Sequence, residues 1–167
     1  MLDVELDQTD CWNGDQDWQA LAEEAVKGAF SVSSHGDLAS APFTLSLSIS
    51  LSTDAEVQTL NAQWRGKDKP TNVLSFPMLE ASELGALANT DDGEVLLGDM
   101  ILAFETCQAE AIEKAIPLTD HVTHLIVHGT LHLLGLDHID DIQAEHMEGL
   151  EVKALASLGL ANPYSDH

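Results

Sequence analysis

Hydrophobic and polar residues follow two periods along this chain, and each period predicts one kind of element. Alternation every second residue predicts strands over Leu2–Leu6 and Phe43–Leu51. An apolar run predicts a buried strand over Glu94–Phe104, and a short strand is expected at Val73–Phe76. Apolar spacings of three and four residues predict helices that begin near Trp18, Thr53, Glu105, Thr119 and Asp141.

The order of these elements predicts the fold class. Strands lie mostly in the first two-thirds and helices mostly in the last third, which is typical of an α+β domain. The helix capped by Thr119 and running to about Leu134 is apolar all round apart from its histidines, so it should be buried. Glu80–Asp92 is small, acidic and turn-rich, which predicts a mobile excursion. We expect one domain over residues 1–167, with a small mixed β-sheet packed against helices and a buried central helix that carries the histidines.

Composition narrows the class of protein. A chain of 167 residues with 44% hydrophobic residues can bury one core, which excludes disordered and fibrous proteins. Six basic residues against 29 acidic ones give a net charge of -23, which excludes a generally basic nucleic-acid binder but not a local basic patch. Two cysteines cannot build a disulfide framework. No signal peptide or membrane span is apparent, so a cytoplasmic protein without membrane contact is expected.

Three histidines form the strongest candidate site. His128 and His132 are four residues apart on one helix face, and Gly135 can end the helix and fold His138 back towards them. Three neutral imidazoles with a fourth position for water are typical of a catalytic zinc site, so one zinc ion per chain is expected. The spacing matches that of zinc peptidases, except that Gly129 stands where those enzymes carry the glutamate that acts as general base.

Three further polar residues, His124, His121 and Asp137, lie near these histidines in the sequence. His124 and His132 lie about 12 Å apart along the helix, which is too far for both to bind one metal ion, so we place His124 behind the ligands. His121 stays unassigned. Asp137 could orient a ligand histidine from outside, or it could close a purely structural metal site.

Arg65, Lys67 and Lys69, here called the basic island, are three of the six basic residues. They lie on either side of a predicted helix end near Gly66, within five positions of one another. In so acidic a chain they are the place where a phosphate could find attraction, although three charges can also form an ordinary solvated loop. The basic island is therefore a candidate phosphate-binding surface, of the kind that a nucleic-acid backbone would need.

Several motifs together carry a resemblance to a known family. They are Leu60-Asn61 with Arg65, Thr71–Pro77, Leu97–Asp99, His124–His138, Met147 and Glu151. Over about Leu45–Tyr164 the chain resembles the YbeY family of metal-dependent endoribonucleases, whereas the first 40 residues match loosely. One departure is Asn72, where the family usually has Asp.

The resemblance implies a zinc-dependent endoribonuclease specific for single-stranded RNA. It would act in 3′-end maturation of small-subunit ribosomal RNA and in late ribosome quality control, with rRNA and the small ribosomal subunit as partners and no DNA expected. By the same resemblance His128, His132 and His138 would hold the metal, and Arg65 and His128 would be required for activity. Arg65 would hold a phosphate and offset its charge in the transition state.

Two other functions fit part of the pattern. A zinc peptidase or amidohydrolase would need its general base from elsewhere in the fold, because Gly129 cannot supply it; casein cleavage without RNA cleavage would identify it. A non-catalytic ribosome-associated factor with structural zinc is the second alternative. That factor should unfold when a chelator removes the metal, whereas an open catalytic site should lose activity first.

Overall fold

Four strands form one mixed sheet. They are β1 (Leu2–Gln8), β2 (Thr44–Ser52), β3 (Val73–Pro77) and β4 (Glu94–Ala103). The computed structural model describes residues 1–87 and 93–164, and within them the strand order is β1-β2-β4-β3. The β1–β2 and β2–β4 pairs are parallel and the β4–β3 pair is antiparallel, which confirms the predicted mixed sheet.

Six α-helices surround this sheet in the described part of the chain. They are α1 (Trp18–Val32), α2 (Asp54–Arg65), α3 (Ala81–Ala86), α4 (Phe104–Lys114), α5 (Leu118–Leu133) and α6 (Asp141–Ser157). The histidine-bearing helix α5 contacts α1, α4, α6 and the sheet, and most of its residues are buried. The predicted α+β class with a buried central helix is therefore confirmed. None of the described helices has the length and apolar character needed to cross a membrane.

The sheet buries both of its faces, which separates the core into two clusters. On β4, Met100 and Leu102 belong to the main cluster with α1, α5 and α6, whereas Ile101 packs with Val57 of α2. Successive residues of a strand point to opposite faces, so α5 and α2 lie on opposite sides of the sheet. Both helices contact the edge strand β3. The ends of α5 and α2 can therefore reach one site near this edge.

The structure differs from two local expectations. Helix α5 begins one residue before Thr119, at Leu118, with Pro117 in the extended conformation preceding it. Thr119 lies inside the first turn, where its carbonyl accepts a hydrogen bond from the Thr123 hydroxyl at 2.7 Å. Part of the expected mobile excursion is helix α3, whose start carries reciprocal hydrogen bonds between Glu80 and Glu83. The rest of that excursion, residues 88–92, lies outside the described residues.

Candidate metal centre

The structure brings His128, His132 and His138 together. Their ring centroids are 4.6 Å apart for His128 and His132, 5.5 Å for His128 and His138, and 5.0 Å for His132 and His138. The Nε2 atoms of His128 and His132 are 3.1 Å apart. Each histidine offers one nitrogen within 4.8 Å of the other two, so the group could hold a metal ion. Imidazole ligands of this kind suit zinc and related transition metals.

A left-handed turn delivers the third histidine. Gly135 has φ of 94°, a conformation that favours glycine, and its amide donates to the His132 carbonyl at 3.0 Å. The Leu136 amide then donates to the Leu131 carbonyl at 3.0 Å, which reverses the chain at the end of α5. His138 therefore returns to the helix end, with its side chain 54% exposed. The cluster is open to solvent on this side.

The environment keeps His132 in the form that binds metals. Burial, and after it the neighbouring His128 and His138, lower its pKa from 6.5 to about 4. His132 is therefore neutral at neutral pH. A metal ion needs this neutral form of the imidazole, so the cluster fits a metal without a proton having to leave His132 first.

Glu151 of α6 supports the cluster from inside the protein. Its side chain is 1% exposed, and its Oε1 lies 2.6 Å from Nε2 of His124 and 3.3 Å from Nδ1 of His128. Burial alone would raise the pKa of Glu151, but the hydrogen bonds from His124 and His128 outweigh it and lower the pKa to about 2. The carboxylate is thus an acceptor, which places a proton on Nδ1 of His128 and leaves Nε2 free to bind a metal.

Sequence reasoning named Glu151 only as part of a motif and gave it no role. The available signal was its position on the buried stripe of α6, beside Met147, Ala154 and Leu155. A glutamate in such a stripe is rarely buried without a partner. A search for buried acids opposite the histidine helix would have found it.

His124 and Asp137, which the sequence places behind the three histidines, make different contacts in the structure. His124 contacts the carboxylate that holds His128, at 2.6 Å from Glu151. Asp137 accepts a hydrogen bond from the His138 backbone amide at 2.8 Å, and its Oδ1 lies 3.9 Å from Nδ1 of that histidine. His121, which the sequence left unassigned, pairs instead with Glu110 of α4 at 2.8 Å.

The basic island lines the same groove as the histidines. This groove has a volume of about 1000 Å³, and its polar lining includes Arg65, Lys67, Lys69, His128, His132 and His138. A left-handed Gly66, with φ of 67°, ends α2 and turns the chain into the loop that carries both lysines. The Asn61 side chain fixes this loop by donating to the Lys69 carbonyl at 2.9 Å. The fold therefore places the three-histidine cluster and half of the chain's basic residues around one groove.

Arg65 is held against the edge strand. Its Nη2 donates to the Ser75 carbonyl at 2.7 Å, and the guanidinium carbon lies 5.5 Å from the centre of the Phe76 ring. A guanidinium has five N–H donors, and this bond uses one of them. The side chain is oriented and still has donors to offer a ligand in the groove.

Gly129 has a packing role. A Cβ atom at this position would lie 2.5 Å from Sδ of Met100 and 2.9 Å from Oγ of Ser75. Met100 is itself 1% exposed, so it has little room to move. Close contact between α5 and the sheet therefore explains the glycine, and Gly129→Glu would disturb the fold before it could test the chemistry.

Asn72 also finds a specific place. Its Nδ2 donates to Oε1 of Glu110 at 3.0 Å, and its Oδ1 accepts from the Val73 amide at 2.7 Å. An aspartate could replace the second interaction but could not donate to Glu110. The side-chain amide of Asn72 is thus complementary to the Glu110 carboxylate in this chain.

Fold and site together define the class: an α+β protein with a three-histidine cluster that could hold a metal ion, set in a groove with basic residues. The solution structure of TM1509 from Thermotoga maritima has a similar fold, with a TM-score of 0.53 at 18% identity, over 93% of this chain and 91% of that one.

Sequence comparison identifies the family. A profile of the endoribonuclease YbeY family matches residues 4–159. Endoribonuclease YbeY of Sphingopyxis alaskensis is 56% identical over 99% of both chains. Endoribonuclease YbeY of Zymomonas mobilis is 53% identical over 100% of this chain and 95% of its own. The chain belongs to the endoribonuclease YbeY family, and the predicted resemblance is confirmed.

Proposed function

We propose that this protein is a zinc-dependent endoribonuclease that hydrolyses phosphodiester bonds of single-stranded RNA. The observation that carries the proposal is the meeting of three histidines and the basic island in one groove. Relatives named Endoribonuclease YbeY, at 56% and 53% identity, support RNA as the substrate. We further propose that the natural substrate is the 3′ end of small-subunit rRNA in the cytoplasm, on or near the small ribosomal subunit, and that DNA is not cleaved.

His128, His132 and His138 would hold one zinc ion per chain, which leaves a coordination position for water or substrate. Zinc in such a site lowers the pKa of water and polarises a phosphate oxygen. Glu151 keeps the proton of His128 on Nδ1, so that Nε2 faces the other ligands. Asp137 restrains the turn from which His138 projects by accepting its backbone amide.

Arg65 would bind the phosphate that is cleaved. Its contacts with Ser75 and Phe76 orient the guanidinium, whose planar fork can offer two parallel hydrogen bonds to phosphate oxygens. Such bonds stabilise the negative charge that grows on phosphate in the transition state. Lys67 and Lys69 would hold neighbouring phosphates as simple positive charges.

The experiment follows cleavage of a single-stranded RNA with and without a chelator, with zinc added back, and uses single-stranded DNA and casein as comparison substrates. Wild type should cleave only the RNA, and only with metal. Arg65→Ala should keep its zinc and lose most of its turnover, and Arg65→Lys should restore little, because a point charge cannot form the planar two-bond contact.

Two lysine variants that lose the same charge test whether the basic island binds RNA. Lys69→Ala should weaken RNA binding and lower its salt dependence by about one unit of slope, because one phosphate contact is lost. Lys153→Ala removes the same charge from α6, outside the groove lining, and should leave both unchanged. Wild-type turnover in Arg65→Ala, or casein cleavage without RNA cleavage, would contradict the proposal.

A further inference from the structure

Tyr164 lies beyond the end of α6 and returns to the inner side of the histidine cluster. Its hydroxyl donates to Oε1 of Glu151 at 2.8 Å. Its ring packs edge-on against His124, with centroids 5.5 Å apart and planes at 90°. Its backbone amide donates to Oδ1 of Asn162 at 2.8 Å, which fixes the segment locally. A residue far along the chain from α5 thus contacts the carboxylate behind His128.

Three polar groups converge on one oxygen of Glu151. Its Oε1 lies 2.6 Å from Nε2 of His124, 2.8 Å from the Tyr164 hydroxyl and 3.3 Å from Nδ1 of His128. The other oxygen, Oε2, is buried without a hydrogen-bond partner among the described residues. A buried carboxylate depends on its donors, and here they hold only one of its two oxygens. Loss of one donor would therefore free the carboxylate group to turn away from His128.

We propose that Tyr164 is a positioning residue of the metal centre: its hydroxyl holds Glu151 in the orientation that makes His128 present Nε2 to the metal. Tyr164 acts through Glu151 and His128 and touches no ligand nitrogen of the cluster itself. The inference rests on the proposed function, because it takes His128 to be a metal ligand. The segment that follows α6 thus supplies a residue behind Glu151, which itself lies behind His128.

A purely structural role makes a different prediction. If Tyr164 only anchors the C-terminal segment, removing its hydroxyl should lower the melting temperature and leave zinc affinity and the His128 tautomer unchanged. If it positions Glu151, zinc affinity and tautomer should change even where the fold is intact. The two roles therefore predict changes in different quantities. An anchor changes only the melting temperature, whereas a positioning residue changes zinc affinity and the His128 tautomer.

The test compares Tyr164→Phe, which keeps the ring against His124, with Ser157→Ala. The control removes a hydroxyl from the end of α6, where Ser157 donates to the Ala154 carbonyl. Zinc affinity is measured by competition with a chromophoric chelator, and histidine tautomers are read by ¹⁵N NMR of the metal-free protein. Tyr164→Phe should bind zinc about 10-fold more weakly and give a mixed His128 tautomer, because outer contacts of this kind tune metal affinity by that order. Ser157→Ala should match wild type in both readouts.

Wild-type zinc affinity and an unchanged tautomer in Tyr164→Phe would overturn the inference, whatever its melting temperature. A wild-type protein that binds no zinc would contradict the proposed function instead. In that case the tautomer of His128 in Tyr164→Phe still decides whether the hydroxyl positions this histidine.

Discussion

Helix α5 carries two arrangements in which a histidine contacts a carboxylate of a neighbouring helix, and the two differ in the surroundings of the histidine ring. Near its start, Nε2 of His121 lies 2.8 Å from Glu110 of α4. Within the next two turns, His124 and His128 share Glu151 of α6, at 2.6 and 3.3 Å. Both arrangements use a histidine of the same helix and a carboxylate of a neighbouring one. They differ in what the other ring nitrogen of the histidine contacts.

The second ring nitrogen makes the difference. Nδ1 of His121 is buried and has no hydrogen-bond partner among the described residues. By contrast, Nε2 of His128 lies 3.1 Å from Nε2 of His132 and faces the open groove. A carboxylate behind a histidine orients the ring in both places. Only in the second place does the opposite nitrogen lie beside further histidines, and there the orientation suits a group that could hold a metal ion.

Removing a histidine from each region should give the largest contrast. His132→Ala, like His128→Ala and His138→Ala, should lose most of the bound zinc, because three protein ligands leave little redundancy. His121→Ala makes the same chemical change two turns or more away and should keep the zinc while losing about 1–3 kcal/mol of stability, since Glu110 loses a buried partner. Metal analysis and denaturant unfolding separate the two. Loss of zinc in His121→Ala, or normal zinc in His132→Ala, would show that the regions are not distinct.

Replacing each carboxylate should give a smaller contrast. Glu151→Gln keeps the shape but weakens the acceptor for Nδ1 of His128, so zinc affinity should fall about 10- to 100-fold. Glu110→Gln is the matched change beside His121 and should leave zinc affinity unchanged. Chelator competition measures both. Equal affinities in the two variants would remove Glu151 from the site.

Sequence reasoning succeeded where local spacing decides the geometry. The interval between His128 and His132, followed by Gly135 three residues later, fixes a helix face and a left-handed turn, and these bring in His138. The alternation of β2 likewise predicted a strand whose Leu45, Leu47, Ile49 and Leu51 are at most 1% exposed. Such patterns depend on covalent geometry and on one buried face, so they are visible without tertiary contacts.

The rest depended on contacts between distant segments. Nothing near Glu151 or Tyr164 in the sequence states that both meet His124, 27 and 40 residues away. The reason for Gly129 was also hidden, because it lies in the approach of α5 to Met100 and Ser75. Arg65 and the histidines could be assigned to one groove only through the family resemblance, since they come from helices on opposite sides of the sheet.

Acid should destabilise the metal-free protein through both regions. Burial lowers the pKa of His121, and it lowers the pKa of His132 from 6.5 to about 4, so the unfolded chain binds more protons than the folded one between these values. The free energy of unfolding should therefore fall as the pH drops from 6.5 towards 4. Glu151 adds to the loss only below its ordinary pKa of 4.5. Denaturant unfolding in the presence of a chelator measures the free energy of unfolding across this pH range. Its slope against pH should be shallower for His132→Gln than for wild type. An identical slope would contradict the low pKa assigned to His132.

The smallest expected effect comes from Asn72→Asp, beside the pair formed by His121 and Glu110. Asn72 donates to Glu110 at 3.0 Å, so an aspartate would place a second carboxylate beside the first. His121, at 2.8 Å from Glu110, is the neighbouring group that can offset this charge by taking a proton. The pKa of His121 should then rise above its wild-type value.

This substitution should cost about 1 kcal/mol at alkaline pH and less in mild acid, where His121 becomes protonated. Zinc affinity should stay at the wild-type value, because Glu151 and the ligands are untouched. Unfolding of wild type and Asn72→Asp across a pH series measures the effect, and His121→Gln in both backgrounds should abolish its pH dependence. A cost that is constant with pH would mean that His121 does not sense the added charge. The pair formed by His121 and Glu110 would then contribute through packing alone, and the histidines along α5 would differ in how they titrate as well as in what they contact.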